Sequence, residues 1–387
     1  MDNIAGRKSG LSWAVNLSVV ALVLLWLFPT VGLLVSSFRT ADQISASGWW
    51  KALFPSEQVV QLRTGGAEAA TQEGDLWVVE GNLLEDSEEG PAPGAEITRF
   101  GVSSKAVDAF AVGETTTFAK DTKTFTMDAA GTYRFTSTKE LKKRGQRVFI
   151  TATLPPEFTL ANYDQVLLSG NSNDSMTKAF LNTLTVTIPA TIIPIVIAAF
   201  AAYALAWMEF PGRALLIAAI VGLLVVPLQL ALIPLLKLHL NIGIGKGYLG
   251  VWLAHTGFGL PLAIYLLRNY MSGLPRDIIE NAKVDGATDF QIFTKIILPL
   301  SFPALASFAI FQFLWTWNDL LVAKVFLIDS TGNTTVMTNQ IVELLGTRGG
   351  NWEILATAAF VSISVPLLVF FAMQRYLVRG LLAGSVK

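Results

Sequence analysis

Cysteine is absent from this sequence, and histidine nearly so. Without thiols there can be no disulfide, no thiol catalysis and no cysteine-based zinc site. His239 and His255 are far apart in the chain and leave little material for a histidine metal cluster or a Ser–His–Asp triad. A hydrolytic or redox active site is therefore not expected. Charge is scarce as well: 15% of the 387 residues are charged, where a soluble domain carries about a quarter. The net charge of −1, with no basic footprint of the kind that tracks a phosphate backbone, argues against nucleic acid. What fills the space is apolar. Hydrophobic residues make up 52% of the chain, which places it in the membrane class.

In chain order, Arg7 and Lys8 precede an uncharged run over 11–37. That run exceeds the roughly 20 residues that cross about 30 Å of hydrocarbon. It is too long for a signal peptide and lacks a small-residue cleavage site in the usual place. It reads as an uncleaved first span, kinked or ended near Pro29. From Arg39 the composition changes: charges return, and Glu85, Asp86, Glu88 and Glu89 mark an acidic loop. Residues 75–80, 132–137 and 146–153 alternate with a period of two in β-prone residues, with Gly- or Pro-rich joints between them. About a hundred residues suffice for a small core. The organisation expected is a first span over 1–38, an inserted β-rich domain over 39–176, and a core of five further spans over 177–387.

Those spans are expected near 179–207, 214–236, 248–267, 300–323 and 355–374. Six crossings put both termini on one side, and short-loop cations orient the chain. One side collects Arg7, Lys8, Arg213, Arg268, Arg276, Lys283, Lys295, Arg375, Arg379 and Lys387; the other has Lys237, Lys246, Lys324 and Arg348. The richer side is cytoplasmic, which places the β-rich domain outside. Pro189, Pro194, Pro227, Pro234, Pro261 and Pro366 fall within the spans, where neighbouring helices can satisfy freed carbonyls. They suit bundle packing, and equally a pathway between bent helices.

Between the fourth and fifth spans lies a water-compatible stretch over 274–300. Pro275 suits a first helical turn, Gly286 permits a turn that a Cβ would resist, and Pro299 ends the second piece. Two short cytoplasmic helices held by membrane spans suggest a docking device. The residues then become specific. Glu280, Ala282, Asp285, Gly286 and Ala287, followed by Ile296, Leu298 and Pro299, resemble the EAA loop of permease subunits of binding-protein-dependent ABC importers, with Asn281 where alanine is commonest. Phe210 to Arg213, the Trp317–Asn318–Asp319 run, the segment over 157–163 and the C-terminal 380–387 resemble the carbohydrate-uptake branch, of the maltose-permease kind. The resemblance covers 161–387 and the first span. The inserted domain, with residues 344–350 and 351–353, is similar to α-glucoside permease subunits.

The resemblance implies an all-α polytopic bundle of six spans with an inserted external β-rich domain, set in the bacterial inner membrane. It implies half of a pore. A second, usually different permease subunit would complete it, two ATPase subunits would bind beneath, and an external solute-binding protein would deliver a sugar. No G-x-x-x-x-G-K loop exists; Gly243, Gly245 and Lys246 lack the spacing. ATP and Mg would therefore belong to the ATPase partners, and no cofactor is expected on this chain.

Phe290, Phe293 and Ile297 recur at helical spacing, as do Ile292 and Ile296, giving the second loop helix apolar surface for its own spans and for an ATPase groove. Glu280 and Asp285 would pair with basic residues there. A solvated loop helix is the plain alternative. Ser385, Val386 and Lys387 read as a frayed end, although the resemblance implies contact with the ATPases. Polar groups inside spans usually face the bundle interior or a water-filled route. Gln312, Trp315 and Asp319 are spaced to share a helix face, with Asn318 beside them. Sugar contact and an interfacial tryptophan belt both account for this set. Gln229, Asn182 and Thr183 are further pathway candidates that interhelical bonding explains as well. An ion-coupled carrier and a membrane-anchored sensing module are the competing classes; Asp319, nearly alone as an ionisable group in a span, speaks against the first.

Overall fold

The computed structural model describes residues 10–85, 96–120, 122–141, 143–168, 176–328, 331–347 and 350–382. Two compact units are formed, one of the residues up to 162 together with 351–356 and the other of 163–350 and the residues from 357 on.

The first unit begins with α1 (Gly10–Ser37), an apolar helix that continues through Pro29 without a break. Its side chains are almost all exposed. Next come α2 (Ala41–Ala46), opened by a Thr40–Gln43 capping box, and a single 3-10 turn at Trp49–Lys51. Among the described residues nine strands follow: β1 (Ser56–Arg63), β2 (Thr71–Glu73), β3 (Leu76–Asn82), β4 (Glu96–Gly101), β5 (Phe110–Ala111), β6 (Thr115–Phe118), β7 (Lys123–Met127), β8 (Thr132–Ser137) and β9 (Arg147–Leu154). They pair antiparallel in two sheets, β1-β9-β4-β5 and β2-β3-β8-β7-β6. Alternation decides which face is inside: in β8, Tyr133 and Phe135 are buried while Thr132 and Arg134 are exposed. Leu62, Val79, Ile97, Phe100, Phe125, Phe135 and Ile150 close the core between the sheets. Each such side chain contributes about 1.5–3 kcal/mol. The Arg134 bridges to Glu73 and Glu80, half exposed, contribute about 1 kcal/mol at most. Apolar burial holds this region, not its ion pairs.

After the strands come a short turn of helix, α3 (Ala161–Tyr163), and a π turn at Asp164–Leu168. Then come α4 (Thr177–Trp207), α5 (Arg213–Leu223), α6 (Leu228–Asn241) and α7 (Tyr248–Ser272). The polar stretch forms α8 (Arg276–Val284), α9 (Asp289–Ile292), a π turn at Phe293–Ile297, and α10 (Leu298–Leu300). The chain ends in α11 (Phe302–Trp317), α12 (Leu321–Phe326), α13 (Met337–Thr347) and α14 (Trp352–Leu382). Helix α4 packs chiefly on α7 and α11. Ala198, Ala199 and Ala202 give it a small-residue face that lets Ala263 and Leu267 approach closely.

Among the described residues, four helices are long and apolar enough to cross a bilayer: Gly10–Ser37, Thr177–Trp207, Tyr248–Ser272 and Trp352–Tyr376. Two further pairs qualify together but are sharply bent, by 110° between α5 and α6 and by 70° at the join of Asp289–Leu300 with α11. Two expected runs are therefore not continuous helices. The run over 214–236 breaks before Pro227, which biases the preceding residue away from helix. The run over 300–323 breaks at residues 318–320, between α11 and α12. Of the six prolines expected within spans, Pro189, Pro194, Pro234, Pro261 and Pro366 lie inside helices and Pro227 stands at a break. Pro299 also does not end its piece, which runs to Leu300 and stops at Ser301.

Candidate functional site

The polar stretch is built from two capped pieces. Helix α8 starts after Pro275 and ends at Asp285, with Gly286 in the left-handed region at φ +81°. The Ala287 amide donates to the Ala282 carbonyl at 3.0 Å, and the Gly286 amide to the Lys283 carbonyl at 3.0 Å. This pair of bonds is a Schellman cap, which calls for glycine at that position and a small apolar contact between Ala282 and Ala287. Both alanines pack on the buried cluster beneath. Three residues of the recognised pattern thus have a local physical cause. The second piece starts with a capping box: the Gln291 amide donates to Thr288 Oγ1 at 3.3 Å, and the Thr288 amide to Gln291 Oε1 at 2.9 Å.

The apolar stripe of these helices divides into two sets. Ile279, Ile292, Phe293 and Ile297 are buried against α4, α7 and α11, and the Phe293 ring lies 4.7 Å from that of Phe200 and 5.2 Å from that of Tyr203. Phe293, expected on a docking face, is 3% exposed and holds the loop to the helices instead. Ile296 is half-buried and Pro299 exposed. Outside the cluster, Val284 is 86% exposed, Phe290 65% and Ile278 40%. Glu280 and Asp285 are exposed too. The Tyr203 hydroxyl donates to Asp289 Oδ1 at 3.3 Å, and Lys283 Nζ lies 3.9 Å from the same oxygen, linking α4 to the turn between the pieces. Ser385, Val386 and Lys387 lie outside the described residues.

The polar residues of the helices do not form one face. Gln312 is buried in α11, and its Nε2 donates to the Ala190 carbonyl at 3.0 Å. Its amide sits where Gly259 leaves room: a Cβ on Gly259 would fall 2.6 Å from Gln312 Oε1. Asp319 is not on α11 at all. It lies past the helix end and accepts from the amides of Val322 at 3.3 Å and Ala323 at 3.0 Å, capping α12. The physical reason is competition: a carboxylate satisfies free amides of a new helix better than it tolerates an apolar helix face. Asp319 Oδ2 also lies 3.7 Å from His255 Nε2, both side chains being buried. Asn182 is fully engaged, donating to the carbonyls of Asn333 at 2.9 Å and Thr335 at 2.8 Å and accepting from the Tyr248 hydroxyl at 2.8 Å. Thr183 Oγ1 accepts from the Met337 amide at 2.9 Å. Trp315, Asn318 and Gln229 are exposed.

Sequence reading overlooked His255 and the role of Trp317. Trp317 Nε1 donates to the Ser362 carbonyl at 3.0 Å, and its ring is 1% exposed, so it joins α11 to α14 and belongs to no interfacial belt. The signal for His255 was available: a carboxylate in an apolar run calls for a partner, and one histidine lies in the neighbouring apolar run.

These elements agree with a match to known proteins. Residues 167–382 match the family of inner membrane components of binding-protein-dependent transport systems. The chain is 58% identical over 387 residues to the alpha-glucoside transport system permease protein AglG of Rhizobium meliloti, covering 98% of each. The chain belongs to this family. It is a permease subunit of an ABC transporter and not an enzyme, which sets aside the ion-coupled carrier and the sensing module. The osmoprotective compounds uptake permease protein GgtD of Synechocystis is 59% identical over 60% of this permease and 76% of its own length. The trehalose transport system permease protein SugB of Mycobacterium tuberculosis is 35% identical over 60% and 84%. A crystal structure of a bacterial ABC transporter that imports alginate aligns with a TM-score of 0.47 at 22% identity, over 58% of this permease and 81% of that chain. The family match begins at residue 167, after the last strand, whereas the AglG alignment takes in the β-rich region as well.

Proposed function

We propose that this permease forms half of an ATP-driven import pathway for an α-glucoside. In this reading six spans cross the bacterial inner membrane, both termini are cytoplasmic, and the β-rich region is external. A second permease subunit completes the pore, a solute-binding protein delivers the sugar, and two ATPase subunits carry ATP and Mg. The observation that carries it is the 58% identity with AglG over almost the whole of both chains, β-rich region included. A match confined to the family core would support transport without the sugar class.

The loop geometry supports a coupling role. Val284, Phe290 and Ile278 leave apolar side chains exposed on these pieces, and Glu280 and Asp285 are exposed on the same stretch, features that suit docking to an ATPase groove with a basic rim. Behind them, Phe293, Ile292 and Ile297 are locked to α4, α7 and α11. Movement of the docked pieces is thereby passed to the spans through packed side chains. Close-packed interiors transmit displacement in this way.

The test is ATP hydrolysis by the reconstituted four-subunit complex with its binding protein, over a panel of α- and β-linked disaccharides. Stimulation by α-glucosides and not by their β-linked counterparts is the expected result. Equal response to both, or stimulation only by a non-sugar solute, refutes the substrate assignment.

A further inference from the structure

The β-rich region contains a cavity of about 450 Å³. Among the described residues, five cations, Arg63, Lys123, Lys139, Arg144 and Arg147, line it, with one carboxylate, Glu140. Among the described residues none of these five cations takes part in an ion pair. A cavity of this size falls within the range that holds small ligands, about 300–1,000 Å³.

Its frame is built, not incidental. The backbones of residues 64–66 and 143–145 touch: a Cβ on Gly145 would fall 1.6 Å from the Thr64 carbonyl oxygen, and one on Gly66 2.0 Å from that of Lys143. Only glycine allows such an approach. The Thr64 amide donates to the Gln146 carbonyl at 2.9 Å, and the Gln146 amide to Thr64 Oγ1 at 2.9 Å. Arg63 Nη1 donates to the Gly145 carbonyl at 3.2 Å. Lys123 Nζ donates to Gln146 Oε1 at 3.4 Å and lies 5.6 Å from the Phe135 ring centre. Like charges held together in this way repel one another, and a concave site of one sign concentrates counter-ions.

Location argues for a soluble occupant. In the β1–β9 pair, Ser56 faces Leu154 at one end and Arg63 faces Arg147 at the other. The Leu154 end is tied to the end of α1, where the Thr159 amide donates to the Phe38 carbonyl and Asn162 Nδ2 to that of Ser37. The cationic end is therefore about 23 Å away along the strand, at roughly 3.3 Å per residue.

We propose that this cavity is a binding site for a small, multiply charged anion bearing phosphate or carboxylate groups. The test titrates the full permease, in its transporter complex in lipid nanodiscs, with tripolyphosphate and with citrate by calorimetry. Saturable binding tighter than about 1 mM, weakened by added salt, is expected. Arg144→Gln and Lys139→Gln should each weaken it about tenfold, the loss of one charge-assisted contact, while Lys105→Gln, an exposed cation off the cavity, leaves it unchanged. Both cavity side chains are exposed, and an unchanged melting temperature shows that the fold is kept. Absence of binding, or equal weakening by Lys105→Gln, overturns the proposal. Binding seen in phosphatidylcholine discs and lost in phosphatidylglycerol discs identifies a headgroup as the occupant and overturns the soluble anion. Retention of an acidic protein without binding of either small anion also overturns it.

Discussion

Gly286 has no atom within 4 Å of the place a Cβ would take, yet its φ is +81°. Its requirement is conformational, since a side chain there would meet open space. A left-handed backbone costs an ordinary L-residue roughly 1–2 kcal/mol, and asparagine less. Gly286→Asn should therefore keep most ATP-dependent uptake, Gly286→Ala should lose part of it, and Gly286→Val should lose most. All three should reach the membrane in normal amounts, because the strain is local to the cap. Uptake by the valine variant equal to that of the parent would show that the cap geometry does not matter for coupling. This residue was legible beforehand because glycine between two polar helical pieces has few other uses. Asp319 was legible only in part. Its presence in an apolar run marked it as special, but spacing counted from Gln312 assumed an unbroken helix, and the carboxylate itself marks the break by capping α12.

At the scale of elements, helical period found the apolar stripe of the loop and could not say which part is covered. Phe290 and Phe293 lie three residues apart, and the structure puts the first outside and the second inside. The division follows from the neighbours. Phe200 and Tyr203 on α4 receive Phe293, and nothing in the order of residues along α9 reveals that α4 ends there. The two phenylalanines should consequently fail in different ways. Phe293→Ala removes a buried ring and should destabilise the permease by about 3–5 kcal/mol, seen as a lower melting temperature and less protein in the membrane. Phe290→Ala should leave both unchanged and reduce binding-protein-stimulated ATPase activity, as loss of an interface anchor does. If Phe290→Ala proved as destabilising as Phe293→Ala, its outward face would be covered within this chain and the docking surface would lie elsewhere. Three of the nine described strands were legible: β3, β8 and β9 each fall within two residues of the expected positions, because one-sided burial imposes a strict period of two, while the other six carried no alternation that was read.

For the whole molecule, the two units differ in how far the family shares them. The family match covers 167–382 and omits the strands, and two of the permeases compared align over 60% of this chain. The insertion is also closed on itself. Ser56 and Leu154 are partners in the β1–β9 ladder, so their Cα atoms are about 5 Å apart, a gap two residues can bridge. Its core is internal, drawn from strands between those two points. Replacing residues 57–153 by a Gly-Ser dipeptide should therefore leave α1 joined to α4 through the same 155–176 segment. The shortened permease should insert and co-purify with its second permease subunit and the ATPases. It should also lose the anion binding proposed for the cationic cavity, since every residue lining that cavity is removed. Failure to assemble would mean that the insertion supports the bundle, and would remove the reason for treating its cavity as an accessory site. Assembly with a normal basal ATPase rate, but without stimulation by the binding protein, would instead assign the insertion to delivery of the sugar.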